Sequence, residues 1–233
     1  MKWKRPSAKG PRGSASWSRL NVIFEDKDVI VVDKPAGLLT MATDREKHRT
    51  LYALLYEYLR GRRPPQGLFI VHRLDREASG LLVFAKSEAS KEALQGQFKE
   101  HYAGRTYLAV TENRIPQDQC TFQSYLAESA AYHCYSTPDP AKGKWAVTHV
   151  KALRRSTHRT LVEAQLETGR KHQIRVHLAE QGYPIVGDPV YGSKTNPIRR
   201  LALHAVRLTF EHPTTGQPME FESPPPAAMT ALV

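Results

Sequence analysis

The sequence has little cysteine and no long hydrophobic run. Only Cys120 and Cys134 occur among the 233 residues, which excludes the disulfide framework of a small secreted domain. Two free thiols indicate a reducing compartment, so we expect the protein in the cytoplasm. No apolar stretch approaches the roughly 20 residues that a membrane-spanning helix requires, and no membrane partner is expected.

Patterns that hold metal ions or nucleotide cofactors are also missing. Cys134 follows His133, but no further cysteine or histidine stands at the spacing of a metal site. The glycine patterns typical of nucleotide-binding loops have no counterpart in the sequence. The sequence therefore predicts no metal and no cofactor.

Positive charge is what the sequence has in excess. Lysine and arginine total 34 against 23 acidic residues, which gives a formal net charge of +11. An excess of this size favours a polyanionic partner, and RNA or DNA is the first candidate. A basic protein that is merely soluble is the alternative, because charge alone does not identify a partner.

The chain length fits one large domain or two small ones, and a short basic segment comes first. Residues 1–19 carry six lysines and arginines among proline, glycine and serine, without the apolar centre of a signal peptide. We expect a disordered tail that either adds electrostatic contacts to nucleic acid or stays idle in solvent. Residues 20–233 are expected to form a single domain with a sizeable core.

Hydrophobic periodicity predicts an α+β fold. Thr50 and Ser87 each stand where they can cap an amphipathic helix. Between residues 120 and 168 the strands follow one another without a long helix, which favours antiparallel pairing. The predicted strands are 22–24, 29–32, 105–110, 120–126, 132–135, 144–153 and 160–167.

A charged loop between two apolar segments is the most informative stretch. It has the sequence VHRLDREASG over residues 71–80, and the apolar run 81–85 follows it. Charges held between two core strands lie on a rigid scaffold, where catalytic groups are often found. Arg73 and Arg76 would keep the carboxylate of Asp75 ionised. A surface turn with a local ion pair is the alternative, and spacing alone does not decide between them.

A second basic stretch, LETGRKHQIRVHL, covers residues 166–178. It predicts a turn followed by a helix over 173–181 that ends at Gly182. Arg170 stands at the entrance of this helix, where a positive charge opposes the helix dipole, so its placement favours a functional role. The alternative is that the basic residues of this stretch form a solvated helix face.

Several segments together resemble the RluA-type pseudouridine synthase family. The catalytic-loop motif of that family is matched by residues 72–75 and 79–82, with Ala78 where threonine is usual. Further matches are residues 24–38, the strand around Tyr107, residues 166–178 with 184–192, and residues 200–216. The resemblance runs in family order from about residue 22 to about residue 225.

The resemblance implies a fold, a reaction and a set of residues. The fold would be a mixed, mostly antiparallel central sheet flanked by helices, and the reaction would isomerise uridine to pseudouridine in RNA without a metal or cofactor. Asp75 would be the catalytic residue, Arg170 its guanidinium partner and Tyr107 the active-site tyrosine. Arg73 would fill the space that the flipped base leaves. The expected RNA-binding residues are Arg73, His72, Arg76, Lys171, His172 and Arg175.

The RNA target and two other functions stay open at this point. Members of the family modify large-subunit ribosomal RNA or transfer RNA, and we expect a uridine in a loop or bulge, with ribosomal RNA first. A catalytically silent RNA-binding protein is one alternative, and a hydrolase that uses Asp75 with His72 is another. The protein is expected to be a monomer, with residues 20–233 as its catalytic domain and no accessory RNA-binding domain before it.

Overall fold

A computed structural model describes residues 20–43, 46, 48–61 and 67–233. The predicted basic tail, residues 1–19, lies outside the described residues. The described chain forms one eleven-stranded sheet and four α-helices. The helices are α1 (Leu51–Leu59), α2 (Glu88–Lys99), α3 (Gln173–Glu180) and α4 (Ala227–Thr230). The strands are β1 (Asn21–Glu25), β2 (Val29–Lys34), β3 (Phe69–Ile70), β4 (Ser79–Ala85), β5 (Gly104–Glu112), β6 (Gln119–Glu128), β7 (Cys134–Thr137), β8 (Lys144–Arg155), β9 (Arg159–Leu166), β10 (Leu203–Glu211) and β11 (Pro218–Glu222).

The sheet is mixed and mostly antiparallel, as predicted. Its strand order is β1-β2-β4-β10-β5-β9-β8-β6-β7, with β3 paired to β4 and β11 paired to β10. Among the described strands only β4 and β10 pair in parallel. Consecutive strands of the predicted β-rich middle, β8 and β9, pair antiparallel as neighbours, which short links permit. The predicted α+β fold is confirmed.

Strand β4 lies inside the sheet, and the charged loop leads directly into its first residues. All seven residues of β4 are buried, in keeping with the near-continuous apolar run of the sequence. Gly80 has φ +112°, and a Cβ at this position would lie 2.3 Å from the carbonyl oxygen of Ala205 on β10. Only glycine allows the two parallel strands to approach this closely. The Ser-Gly pair therefore anchors the end of the loop.

Both predicted helix caps are present. The Thr50 side chain accepts a hydrogen bond from Ala53 N, and the Ser87 side chain accepts one from Ser90 N. Each cap satisfies an amide that the first helical turn leaves unpaired.

In the described part of the chain, no helix combines the length and apolarity needed to cross a membrane.

Candidate active site

The loop that bears Asp75 is held by one side chain and one backbone amide from the segment after β2. Thr40 Oγ1 accepts from Leu74 N at 3.2 Å and donates to Leu74 O at 2.8 Å. On the other side of Asp75, the amide of Gly37 donates to Arg76 O at 2.7 Å. The backbone is therefore held immediately before and after the carboxylate, and the Asp75 side chain is 16% exposed.

A buried lysine completes this support. Lys34 Nζ donates to Pro35 O at 3.0 Å, Leu38 O at 2.8 Å and Arg76 O at 3.2 Å. Burial lowers the pKa of Lys34 to about 7, although the negative charge of Asp75 opposes the shift. The lysine ties the turn after β2 to the loop that bears Asp75, which accounts for the position of the Lys-Pro-x-Gly sequence.

Arg175, on α3, is the arginine that contacts Asp75. Its Nη1 donates to Asp75 Oδ2 at 3.3 Å, while Nε and Nη2 donate to Asp188 at 2.7 and 2.9 Å. The side chains of Arg175 and Asp188 are 3% and 1% exposed. Burial lowers the pKa of Arg175, but the hydrogen bond and charge of Asp188 outweigh burial and raise it above its ordinary value. Asp188 thus fixes the guanidinium, and the guanidinium orients Asp75.

The prediction that Arg170 pairs with Asp75 is therefore wrong, because the arginine that contacts Asp75 is Arg175. Arg170 is exposed, and its Nε donates to Trp145 O at 2.9 Å. The reason lies in where the helix begins: α3 starts at Gln173, whose Oε1 accepts from Arg170 N at 3.0 Å. Arg170 consequently belongs to the turn before the helix, while Arg175 lies on its buried side. The sequence does contain a sign of this role: Arg175 stands between Ile174 and Val176, and a charged residue among buried apolar ones needs a charged partner.

His172 lies beside the same carboxylate. Its Nε2 is 3.9 Å from Asp75 Oδ1, and its Nδ1 is 2.8 Å from the hydroxyl of Tyr191. Burial lowers the pKa of His172, whereas the charge of Asp75 raises it. The residue has φ 54°, a left-handed conformation that non-glycine residues rarely adopt, so the surrounding contacts hold it against local strain.

Tyr191 was not foreseen as part of the site. The guanidinium carbon of Arg175 lies 4.9 Å from the centre of its ring. Its hydroxyl accepts from Cys134 N at 3.3 Å, and burial raises its pKa. Tyr191 therefore packs over Arg175 and holds His172 by a hydrogen bond. Both contacts join residues far apart in sequence, so local sequence does not predict them.

Tyr107 lies on β5 with 5% of its surface exposed. Its partners in the sheet are Ala164 on β9 and Ala205 on β10, small residues that leave room for its ring. Burial raises the pKa of the hydroxyl; the charge of Arg105 lowers it and that of Asp75 raises it. The two charges act on the hydroxyl in opposite directions, so Tyr107 lies within electrostatic reach of both.

The expected RNA-binding residues divide into exposed and buried ones. Arg73 and Arg76 are exposed on the loop, and Arg76 Nε donates to Gly37 O at 3.2 Å. Lys171 is half-buried; it pairs with Glu128 and donates to Tyr132 O at 3.2 Å.

His72 and Arg175 do not offer their polar atoms to a ligand on the surface. His72 Nε2 accepts from Val83 N at 3.2 Å and its Nδ1 is shielded from solvent. Burial lowers the pKa of His72 to about 3, which favours the neutral ring near pH 7. Both side chains are used inside the protein, and contacts of these two residues with RNA stay a prediction.

One cluster in the described residues has the ligand types of a metal site. Ligand atoms of Asp26, Asp28 and His212 lie within 4.8 Å of one another. His212 Nδ1, however, accepts from the amides of Thr214 and Thr215 at 3.3 and 3.1 Å, and Nε2 lies 2.8 Å from Asp26 Oδ2. The neutral ring therefore carries its proton on Nε2, the nitrogen that a metal would need. The cluster fits an Asp–His hydrogen bond better than a metal.

The geometry consists of one carboxylate on a braced loop, oriented by the buried guanidinium of Arg175 and with the ring of His172 beside it. A carboxylate held in this way can attack a sugar carbon or remove a proton. The ion pair with Arg175 holds the Asp75 carboxylate in one orientation, as a preorganised site requires.

Comparisons with known proteins give the same assignment. Residues 28–180 match the family model described as RNA pseudouridylate synthase. The uncharacterized RNA pseudouridine synthase YlyB of Bacillus subtilis is 39% identical over 218 residues, which cover 92% of this chain and 72% of that protein. The ribosomal large subunit pseudouridine synthase D of Neisseria meningitidis serogroup A is 38% identical over 89% of this chain, which spans only 58% of that relative.

A solved structure supports the fold. Human RNA pseudouridylate synthase domain containing 4 superposes with a TM-score of 0.73 over 92% of each chain, at 23% identity. The strand order, the braced aspartate loop and the extent of the sequence match lead to one conclusion. The chain belongs to the RNA pseudouridine synthase family, whose members are isomerases.

Proposed function

We propose that the protein isomerises a uridine in a loop or bulge of large-subunit ribosomal RNA, with Asp75 as the catalytic residue. The hydrogen bond from Arg175 to Asp75 is the observation that carries this proposal. A guanidinium that is already fixed by Asp188 can direct the carboxylate at the substrate without rearranging. We further propose that the protein acts as a monomer in the cytoplasm.

The chemistry proceeds within one nucleotide. The bond between the ribose C1′ and the uracil N1 breaks, the freed uracil turns, and C1′ bonds to C5. The proton on C5 is then removed and N1 takes up a proton, so that product and substrate have the same mass. Asp75 serves as nucleophile toward C1′ or as base toward the sugar, and the Tyr107 hydroxyl relays the proton from C5.

The target base has to leave its stack before Asp75 can reach the nucleotide. Unstacking costs a few kcal/mol and is least costly in loops and bulges. Arg73 precedes Asp75 by two residues and is exposed on the same loop, so its guanidinium can enter the space that the base vacates. Arg76 and Lys171 would add contacts to the backbone.

The names of the relatives support ribosomal RNA as the target class. Proteins from Neisseria meningitidis, Nitrosomonas europaea and Pseudomonas aeruginosa, each at least 36% identical, carry the name ribosomal large subunit pseudouridine synthase D. The chain spans between 58% and 68% of these three relatives. If the modified uridine lies in transfer RNA instead, the target changes and the proposed reaction stays the same.

Chemical mapping of pseudouridine in total RNA tests the proposal. Cells with the gene, without it, and with the Asp75→Asn variant are compared. We expect one or more large-subunit positions to lose pseudouridine in the deletion strain and to stay unmodified with the variant. Loss of pseudouridine only in transfer RNA would make transfer RNA the target. An unchanged pseudouridine map in all strains would contradict the proposed function.

A further inference from the structure

One arginine close to the active site has no acceptor in the part of the chain that the structure describes. Five arginines in that part are buried or half-buried. Arg105, near the start of β5, makes no hydrogen bond or ion pair with any described residue, and its Nε is shielded from solvent. The other four all donate hydrogen bonds: Arg155, Arg159, Arg175 and Arg200. A buried guanidinium N–H without an acceptor costs free energy, and no described residue supplies an acceptor for this one.

The guanidinium is nevertheless held in place. Its carbon lies 4.9 Å from the ring centre of Phe98 on α2. On the side of Gly169, a Cβ would come within 2.6 Å of Nη1 and 3.2 Å of Nη2. The group is thus confined between an aromatic ring and bare backbone, and a larger residue than glycine would displace it. A fixed donor of this kind loses little conformational entropy when it binds a ligand.

The free edge of this guanidinium has the geometry that phosphate needs. Nη1 and Nη2 are not among the atoms that are shielded from solvent, and neither has a partner in the described residues. A planar pair of N–H donors matches two oxygens of a phosphate group. No carboxylate of the described chain competes for these donors, in contrast to Arg175.

Arg105 also lies next to the reacting groups. Tyr107 follows it by two residues on the same strand, and its hydroxyl senses the charges of both Arg105 and Asp75. The ring of His72, three residues before Asp75, lies 4.8 Å from that of Phe98, which in turn contacts Arg105. A nucleotide at Asp75 would therefore bring its own phosphates close to Arg105.

We propose that Arg105 binds a backbone phosphate of the RNA adjacent to the target uridine. The inference rests on the proposed function, because a nucleotide must enter beside Asp75 to present that phosphate. The phosphate supplies the acceptors that the protein does not. By holding the backbone, Arg105 keeps the flipped nucleotide in the site while the base turns. The alternative is that Arg105 only packs on Phe98.

Salt-dependent RNA binding separates these two interpretations. The probe is an unmodified large-subunit ribosomal RNA transcript, and affinity is measured between 50 and about 300 mM salt for the wild type, Arg105→Gln and Arg105→Lys. Loss of one phosphate contact should reduce the slope of log K against log salt by about 0.7 to 0.9 for Arg105→Gln, and affinity should fall about tenfold. Arg105→Lys should keep the slope and lose less affinity, because it keeps the charge but not the planar fork.

A neutral phosphate in the RNA identifies the contact directly. A methylphosphonate placed on either side of the converted uridine should weaken wild-type binding at one of the two positions. The same substitution should have no further effect on Arg105→Gln, since the contact is already lost. Arg207→Gln is the matched control, because that arginine already pairs with Glu220 and Glu222.

The outcomes are distinct from those that test the function itself. A slope equal to that of the wild type would overturn the proposal, whether or not the melting temperature falls, because Arg105 would then be a packing residue. Additive effects of the methylphosphonate and Arg105→Gln would overturn it as well. If the wild type fails to convert any uridine in the transcript, the proposed target is wrong, yet the slope still decides whether Arg105 binds phosphate.

Discussion

Arg175 Nη1 donates a hydrogen bond of 3.3 Å to Asp75 Oδ2 across 100 residues of sequence. The same guanidinium forms a fork with Asp188. The buried pair therefore does two things: it stabilises the junction of α3 with the segment after it, and it orients the carboxylate of Asp75. Changes at Arg175 should thus alter both stability and turnover, and changes at Arg170 should alter neither strongly.

The first prediction compares these two arginines. Arg175→Met leaves Asp188 buried without a charge partner, so the free energy of unfolding should fall by about 3–5 kcal/mol. Arg170→Met removes one exposed hydrogen bond and should cost about 0.5 kcal/mol or less. Urea unfolding and turnover on the same preparations provide the measurement. Equal losses in both variants would contradict the assignment of Arg175 as the partner of Asp75.

Asp75→Asn should abolish isomerisation while RNA affinity stays within a few-fold of the wild type. The amide has the shape of the carboxylate but lacks its charge and its nucleophilicity. Pseudouridine formation and RNA binding are measured on the same transcript. Glu77→Gln is a suitable control, since Glu77 is an exposed carboxylate on the same loop, 3.7 Å from Arg175. Continued turnover by Asp75→Asn would remove Asp75 from its proposed role.

Tyr107→Phe should leave the fold intact and stop product formation. Phenylalanine keeps the ring between the small partners on β9 and β10, and the lost hydroxyl costs about 1 kcal/mol at most. If the hydroxyl relays the C5 proton, turnover should fall at least a hundredfold, which corresponds to about 2.7 kcal/mol of barrier. Melting temperature and turnover are compared, and a variant that turns over normally would make Tyr107 a packing residue.

Lys34 should make the stability of the protein depend on pH. Burial lowers its pKa from 10.5 to about 7, so between these values the unfolded chain binds more protons than the folded one. Stability must then rise with pH in this window, and it is lost as the pH falls towards 7. From pH 7 to pH 9 this group should add about 2 kcal/mol.

The comparison of wild type with Lys34→Met isolates that contribution. Urea unfolding at pH 7 and pH 9 should show a smaller gain for the variant, because methionine does not titrate. Lys91→Met serves as the control, since Lys91 pairs with Glu88 on the surface of α2. The same pH dependence in Lys34→Met and wild type would contradict a lowered pKa of Lys34 beneath the Asp75 loop.

Much of the fold follows from local features of the sequence. Thr50 and Ser87 cap their helices because a short side-chain oxygen satisfies an unpaired amide. The run after Asp75 forms a fully buried strand because its residues are apolar on both faces. These properties depend on neighbours in the chain, which is why the motif around Asp75 could be recognised and its loop correctly anticipated.

What local sequence does not contain is the direction of a side chain relative to distant residues. Arg170 and Arg175 lie in the same basic stretch, and the dipole argument favoured the first because it stands at the helix entrance. The start of α3 at Gln173 decided otherwise, since it turns Arg170 towards Trp145 and buries Arg175 between two carboxylates. The surroundings of His72 were hidden from the sequence for the same reason, because only the fold places its ring against Phe98 and its Nε2 within hydrogen-bond distance of Val83 N on β4.

The sequence by itself determined the chemistry that is present: an aspartate on a loop between apolar segments, a tyrosine on a strand, and a surplus of arginine and lysine for RNA. Tertiary structure decided which of those charges meet. Arg175 is neutralised by Asp75 and Asp188, whereas Arg105 meets no acceptor among the described residues. Guanidinium groups are alike in sequence, and only their distance from carboxylates and their exposure to water separate a structural arginine from one that is free to bind a ligand.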